Sequence, residues 1–471
     1  MWTHPASAAA VENNVSANTT ASAPDPLLDW LIPNIAPKDA LGWEAQIMRA
    51  RLLAEWGKTT ESIRILEALL AENPQDPQAL LMLSALYLET DQRSKIQALL
   101  PSLQALPELQ PTAYYLEGRL ALWRNRVGQA RARFEAALQL TPTDYPLHAT
   151  LLFYRAYTLE QMGRIAESEQ TILQAKQAGF RAHEIEERLA MARFHLRNRQ
   201  AAKAIPLLER GLNGQTLTNS EYLRHLADSY LAANMRALAL DTYSAAIETG
   251  SEDPQLFAKR AMLLRSNGNN EDAWEDFQRA IALGEADPAL LFAAGISGLQ
   301  AGHLQQAQPL LSKASAGLPE HATAHYLSAL TLYLLGDAEA SKAQLEGFLK
   351  NDHALAEEFA LLQRFVHLAV GNDQTMPHTR QQTASNSESH TVPALMQRVM
   401  NNTLEPEAAF AKVETSRGER RGKAECALAF WLGEWYRSQG LDEQAEAFFR
   451  KALTIGNPDF LEFHAARWRL H

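Results

Sequence analysis

Apolar residues along much of this chain recur at i, i+3, i+4 and i+7, the spacing of a helix with one buried stripe. The segments YLRHLADSYLAA (residues 222–233) and AWEDFQRAIAL (273–283) both follow it. Beneath that rhythm runs a slower one, in which small and bulky residues return in a fixed order. Gly118, Ala130, Phe134 and Ala137 share their spacing with Ala227, Ala239, Tyr243 and Ala246, and with Ala261, Ala273, Phe277 and Ala280. Gly295, Ala307, Leu311 and Ala314 repeat it, as do Gly433, Ala445, Phe449 and Ala452. Looser copies centre on Ala50, Ser62, Leu66 and Leu69, on Ser84, Ile96, Leu100 and Leu103, and on Ala156, Ala192 and Ala329. Units then begin at 43, 77, 111, 149, 185, 220, 254, 288, 322 and 426, most often about 34 residues apart.

This pattern predicts pairs of antiparallel helices. Small residues at the first and third marked positions let two helices approach closely, and the bulky residue between the later pair is expected to fill space against the next unit. Gly57, Gly268, Gly302, Gly336 and Gly440 mark the turn inside their units, and Pro74, Pro142 and Pro319 end second helices. On these residues the chain resembles the tetratricopeptide repeat family over 43–355 and again from 426 onward. A Sel1-type repeat would need a longer period and more regular glycines. The resemblance implies an all-α fold, a right-handed superhelical solenoid of antiparallel helix pairs.

Outside the array the pattern changes. Residues 1–26 are rich in Ala, Ser, Asn and Thr and read as a flexible tail; they lack the basic start and apolar run of a secretory signal. That leaves cytoplasm and periplasm both open. Over 27–42, Leu27, Leu28, Trp30 and Leu31 are expected to cover the edge of the first repeat, with a docking motif as the alternative. The stretch 356–425 reads as decayed repeats around a polar insertion at 371–392, expected to be disordered. One helix is predicted over 356–370 and two short ones divided near Pro406. The block from 426 resembles the closing module of bacterial tetratricopeptide adaptors such as new lipoprotein I, in which a last repeat over 426–459 leads into a capping helix. Here the cap falls at 460–471, with Phe460, Phe463 and Trp468 expected to face inward. A lipobox cysteine near the start is lacking, so that lipoprotein's anchoring is not implied.

Composition narrows the chemistry. Of 471 residues, 44 are basic and 55 acidic, a net charge of -11 that argues against nucleic acid or anionic lipid as the main partner. No apolar run is long enough to predict a transmembrane helix. Cys426 is the only cysteine and reads as a small core residue, which rules out a disulfide framework. Metalloprotease, nucleotide-loop, nucleophile-elbow and dinucleotide motifs are all missing, so no catalytic residue, metal or cofactor is expected. The nine tryptophans read as packing residues.

The resemblance places ligand contacts on the first helix of each unit, at its second, fifth, ninth, twelfth and thirteenth positions. Those positions hold Tyr115, Arg119, Trp123, Phe153, Tyr157, Arg193, Arg197 and Arg224 in the middle units. In the later units they hold Phe292, Ile296, Tyr326, Leu330 and Tyr333. Rings beside guanidinium groups suit an acidic or carboxylate-bearing peptide, the alternative being a solvated charged face with rings packed between helices. The later set is apolar and is expected to be covered by the 371–392 segment, the decayed repeats or a foreign partner. Tyr115, Arg119, Phe153 and Tyr157 stand where chaperone-binding clamps carry Lys and Asn, which argues against that subtype. The expected function is a non-catalytic scaffold for a protein or peptide in a bacterial cell-envelope or secretion complex. A polysaccharide-export component whose rings stack on sugar is the alternative.

Overall fold

The structure, a computed structural model, describes residues 42–349, 357–371, 391–413, 419–458 and 460–471. The tail over 1–26, the covering segment over 27–42 except Gly42, and the insertion over 371–392 except its ends lie outside the described residues. Within them the regular secondary structure is helical, with no strand. The fold is an all-α helical repeat solenoid divided into two compact units, residues 1–213 and 214–471.

The first unit stacks five helix pairs. They are α1 (Trp43–Glu55) with α2 (Thr59–Glu72), α3 (Pro77–Glu89) with α4 (Arg93–Gln104), and α5 (Gln110–Trp123) with α6 (Val127–Leu140). Then come α7 (His148–Gln161) with α8 (Ile165–Gln177) and α9 (Ile185–Arg197) with α10 (Ala201–Glu209).

The second unit opens with the short α11 (Gly214–Leu217) and continues in four pairs. These are α12 (Ser220–Ala232) with α13 (Arg236–Glu248), α14 (Pro254–Ser266) with α15 (Asn270–Ala282), α16 (Pro288–Ala301) with α17 (Leu304–Gly317), and α18 (Ala322–Leu334) with α19 (Ala338–Leu349). After them α20 (Glu357–Ala369), α21 (Val392–Met400) and α22 (Pro406–Lys412) pack beside a last pair, α23 (Glu419–Ser438) and α24 (Asp442–Ile455), and α25 (Leu461–Arg469) closes the chain's fold. The last pair's first helix starts at Glu419, ahead of the repeat frame.

Local chemistry sets the helix boundaries. Asp76, Asp253 and Asp287 cap α3, α14 and α16 by accepting from backbone amides at 2.7–3.1 Å, and the proline after each sits in the first turn. One left-handed residue makes the turn within each pair. The series runs Gly57, Asp91, Asn125, Gly163, Arg199, Asn234, Gly268, Gly302, Gly336 and Gly440, with φ between 53° and 99°. Where a non-glycine holds that place, the repeat geometry imposes the conformation over its ordinary preference.

The small residues of the first helices are required by contact. A Cβ built on Gly118, Gly295 or Gly433 would come within 3.0 Å of Phe134, Leu311 or Phe449, each on the second helix of the same pair. The bulky residue therefore fills space inside its own unit as well as towards the next, where the Phe134 ring stacks on Tyr154 at 5.5 Å. Ala50, Ala156 and Ala329 take the same small-residue place, and there Ser62, Ser168 and Ser341 of the second helix donate to their carbonyls at 2.6–2.8 Å. Each pair is thus tied by packing and, in some units, by one buried hydrogen bond.

Candidate interaction face

In the first unit, α5, α7 and α9 are successive first helices, and the residues singled out in the sequence fall along them. Arg119 is only 6% exposed. Its guanidinium donates from Nη1 to the Tyr115 hydroxyl at 2.9 Å and grips Glu184 with two bonds, of 3.0 and 2.7 Å. The same group lies 4.6 Å from the centre of the Tyr154 ring and 5.5 Å from that of Trp123. Glu184 is held in turn, because it caps α9 in a reciprocal capping box with Glu187, and Glu187 accepts from the Tyr154 hydroxyl at 2.9 Å. Burying a charge costs heavily unless it is paired, and here one arginine is enclosed by two rings, a hydroxyl and a carboxylate.

Phe153 is buried and stacks on Phe180, ring centres 4.2 Å apart and planes within 6°. Trp123 and Tyr157 are half-buried. On α9, Arg193 forks onto Glu160 with two bonds of 3.2 Å, and Arg197 reaches the same carboxylate at 2.7 Å and Glu169 at 3.1 Å. Burial alone would raise the pKa of Glu160, but the bonds and charges of Arg193 and Arg197 outweigh it and hold the group below its ordinary value. The guanidinium groups that the sequence offers to a partner are therefore already engaged with the chain's own carboxylates.

The second unit carries the remaining residues. Arg224 Nε lies 3.2 Å from Asp253, and its Nη1 3.9 Å from Asp228. Asp228 also accepts from Tyr243 and from Lys259, whose Nζ is 2.7 and 2.8 Å from the two oxygens. Phe292 and Ile296 are half-buried, whereas Tyr326, Leu330 and Tyr333 are buried. Their cover comes from two sides. The Tyr326 ring meets Phe359 of α20 at 5.3 Å. α25 packs against α16, α18 and α23, which are all first helices.

Glu434 on α23 forms the hub of that second contact. Its side chain is fully buried and accepts from the Tyr333 hydroxyl at 2.5 Å, from Arg437 at 2.9 Å and from Arg469 of α25 at 2.7 Å. Arg469 also donates to the Leu334 carbonyl at 2.9 Å, and Arg467 to the Gln300 carbonyl at 3.1 Å. Burial, followed by the Glu434 carboxylate, pushes the Tyr333 hydroxyl well above the ordinary tyrosine range and keeps it a donor. Sequence reasoning placed α25 as a cap facing inward but missed its return to α16 and α18, and it missed Glu160, Glu184 and Glu434. One signal was available, because Trp43–Asp76, Tyr154–Glu187 and Glu160–Arg193 are all bonded pairs 33 residues apart, close to the repeat period.

Cys426 is fully buried with its thiol against the Ala452 carbonyl, and burial pushes its pKa up to about 12. Among the described residues, no cluster of three His, Cys, Asp or Glu side chains is placed to hold a metal, and no helix is long and apolar enough to cross a membrane.

Comparison with known proteins accounts for this architecture. The sequence profile of the tetratricopeptide repeat matches residues 115–181, 224–290 and 292–352. These three stretches are tetratricopeptide repeats. The fold is similar to that of Pseudomonas aeruginosa PilF, at 14% identity over 47% of this chain and 98% of that one, with a TM-score of 0.38. A chain of the Cut9–Hcn1 hetero-tetramer of the APC/C is 14% identical over 88% of each chain, with a TM-score of 0.34. YrrB, described as a tetratricopeptide protein with an unusual peptide-binding site, is 18% identical over 46% of this chain and 91% of its own, with a TM-score of 0.27. No curated protein matches the chain in sequence. A tetratricopeptide array is a protein-interaction scaffold, and this fold is generally non-catalytic.

Proposed function

We propose that this chain is a non-catalytic adaptor that takes a protein or peptide partner along the first-helix face of the 110–197 repeats. It serves assembly or regulation of a bacterial multiprotein complex, at the cell envelope or in secretion. The process rests on the resemblance of the C-terminal block to bacterial adaptors, and the binding face rests on one observation. Trp123, Tyr157, Arg193 and Arg197 are half-buried or partly exposed groups on three consecutive first helices, held in place by packing and by Glu160 and Glu169. Trp, Tyr and Arg are the side chains that dominate binding energy at protein interfaces, and groups held in place beforehand lose little entropy when a partner arrives. Arg193 and Arg197, now paired with Glu160 and Glu169, can exchange those bonds for a carboxylate that a partner brings. Glycan stacking is less well served, because Arg93 lies 4.6 Å over the Trp123 ring where a sugar would sit.

Affinity capture from native extract tests this reading. Changing Arg193 and Arg197 together to Ala should remove a retained partner while helicity is unchanged, and retention by the unaltered chain should weaken steeply with salt. Equal capture by both proteins would overturn it.

A further inference from the structure

The first-helix face of α16 and α18, the position where a tetratricopeptide array takes its ligands, is occupied by the chain's own C-terminal helix. The occupant fits in an informative way. α25 is nine residues long and follows the short Gly456–Pro458 link, and a helix of that length has little stability of its own in water. It is held at its far end by Arg469, which enters between the Tyr333 ring and the buried Glu434. Along its length it leaves an apolar cavity of about 260 Å³ lined chiefly by Leu299, Leu304, Leu330, Leu334, Leu461 and Trp468. That is room for a further large side chain, so α25 fills the groove incompletely while its arginine joins Tyr333 and Arg437 on the buried Glu434 carboxylate.

We propose that this face is a receptor for an apolar helix bearing an arginine, that α25 occupies it in cis, and that a partner helix of the same chemistry takes its place. The recognition element is Glu434 presented with the Tyr333 hydroxyl, which selects a guanidinium in a buried setting. The leucine-lined cavity selects bulky apolar residues, one beside that arginine and one about two turns before it. Leu461, Trp468 and Arg469 show the pattern in the resident helix. The inference rests on reading the chain as a binding scaffold and assigns a second, self-occupied site to it.

The test uses the full chain and a fluorescent peptide of residues 460–471. Arg469→Glu sets a carboxylate against Glu434 and should eject α25 without touching the array. This variant should bind the peptide at least about tenfold more tightly than the unaltered chain, and the same change made in the peptide should abolish that gain. In the milder Arg469→Ala chain, the amides of residues 461–469 should exchange with solvent at least about tenfold faster while those of α24 are unchanged. Binding of the peptide equally by both chains, or indifference to its arginine, would overturn the proposal. So would dimers of the unaltered chain that Arg469→Glu abolishes, since they would assign the groove to a second copy. Loss of peptide binding with capture through Arg193 and Arg197 intact leaves the adaptor reading standing, which separates the two failures.

Discussion

The two faces built from the same positions of the same repeat have opposite fates. On α5, α7 and α9 charged groups pair across neighbouring repeats, and the largely buried Arg119 and Glu160 side chains each keep a partner at the boundary with solvent, Glu184 with 39% of its side chain exposed and Arg197 with 31%. On α16 and α18 the chain returns from more than a hundred residues away and covers the face, with Glu434 at 0% and Arg469 at 9%. Repeat position fixes where a side chain stands, and what lies above it is decided by where the chain goes next. Charge pairs of equal length consequently carry different weight, because Glu184 and Arg197 on the first face can turn to water when a partner is lost, whereas Glu434 and Arg469 on the second are both buried.

The comparison breaks most sharply at Glu434. Its replacement by Ala strands the buried Arg469 and the Tyr333 hydroxyl, and should cost about 3–5 kcal/mol in urea unfolding, with early loss of protection in α25. Arg119→Met should cost less, about 1.5–3 kcal/mol, since the half-exposed Glu184 regains water when its charged bonds go. A loss at Arg119 as large as that at Glu434 would erase the distinction between the faces. Arg197→Ala should shift stability by no more than about 1 kcal/mol by thermal melting, because Arg193 stays on Glu160.

The smallest expected effect is that of pH on Glu160. Its pKa in the folded chain lies below the ordinary 4.5, so its ionised form adds stability above that value and loses it as the pH falls through the lowered one. Glu160→Gln should therefore be less stable than the unaltered chain at neutral pH, and the difference should vanish in strong acid. A gap that persists there would assign the effect to packing.

The fold was legible because close helix packing leaves so little choice. Gly118 opposite Phe134, Gly295 opposite Leu311 and Gly433 opposite Phe449 are contacts too close for a Cβ, and the same position in other units holds Ala or Ser, so the spacing itself carries the architecture. The turn series was partly hidden, since Asp91, Asn125 and Asn234 hold the glycine-like conformation with no glycine to mark the place and Arg199 holds it against its preference. The positions of Tyr115, Arg119, Tyr326 and Tyr333 on first helices could also be read. Their states could not, because the groups that satisfy them lie far along the chain: Glu184 is 65 residues from Arg119, and Glu434 is 101 from Tyr333. Pairs near one repeat period left a trace at 33 residues. The return of α25 across the interruption follows no period and left none.

The central claim is that the face on α5, α7 and α9 takes a foreign partner whereas the face on α16 and α18 holds the chain's own end. A photo-crosslinking phenylalanine placed at Tyr157 or at Leu330 of the full chain, and activated in native extract, tests it directly. An intermolecular adduct is expected from position 157 and an internal bond to residues 461–471 from position 330, beside the cavity where the probe fits. Internal products from both positions, or a foreign adduct from 330 and none from 157, would contradict it.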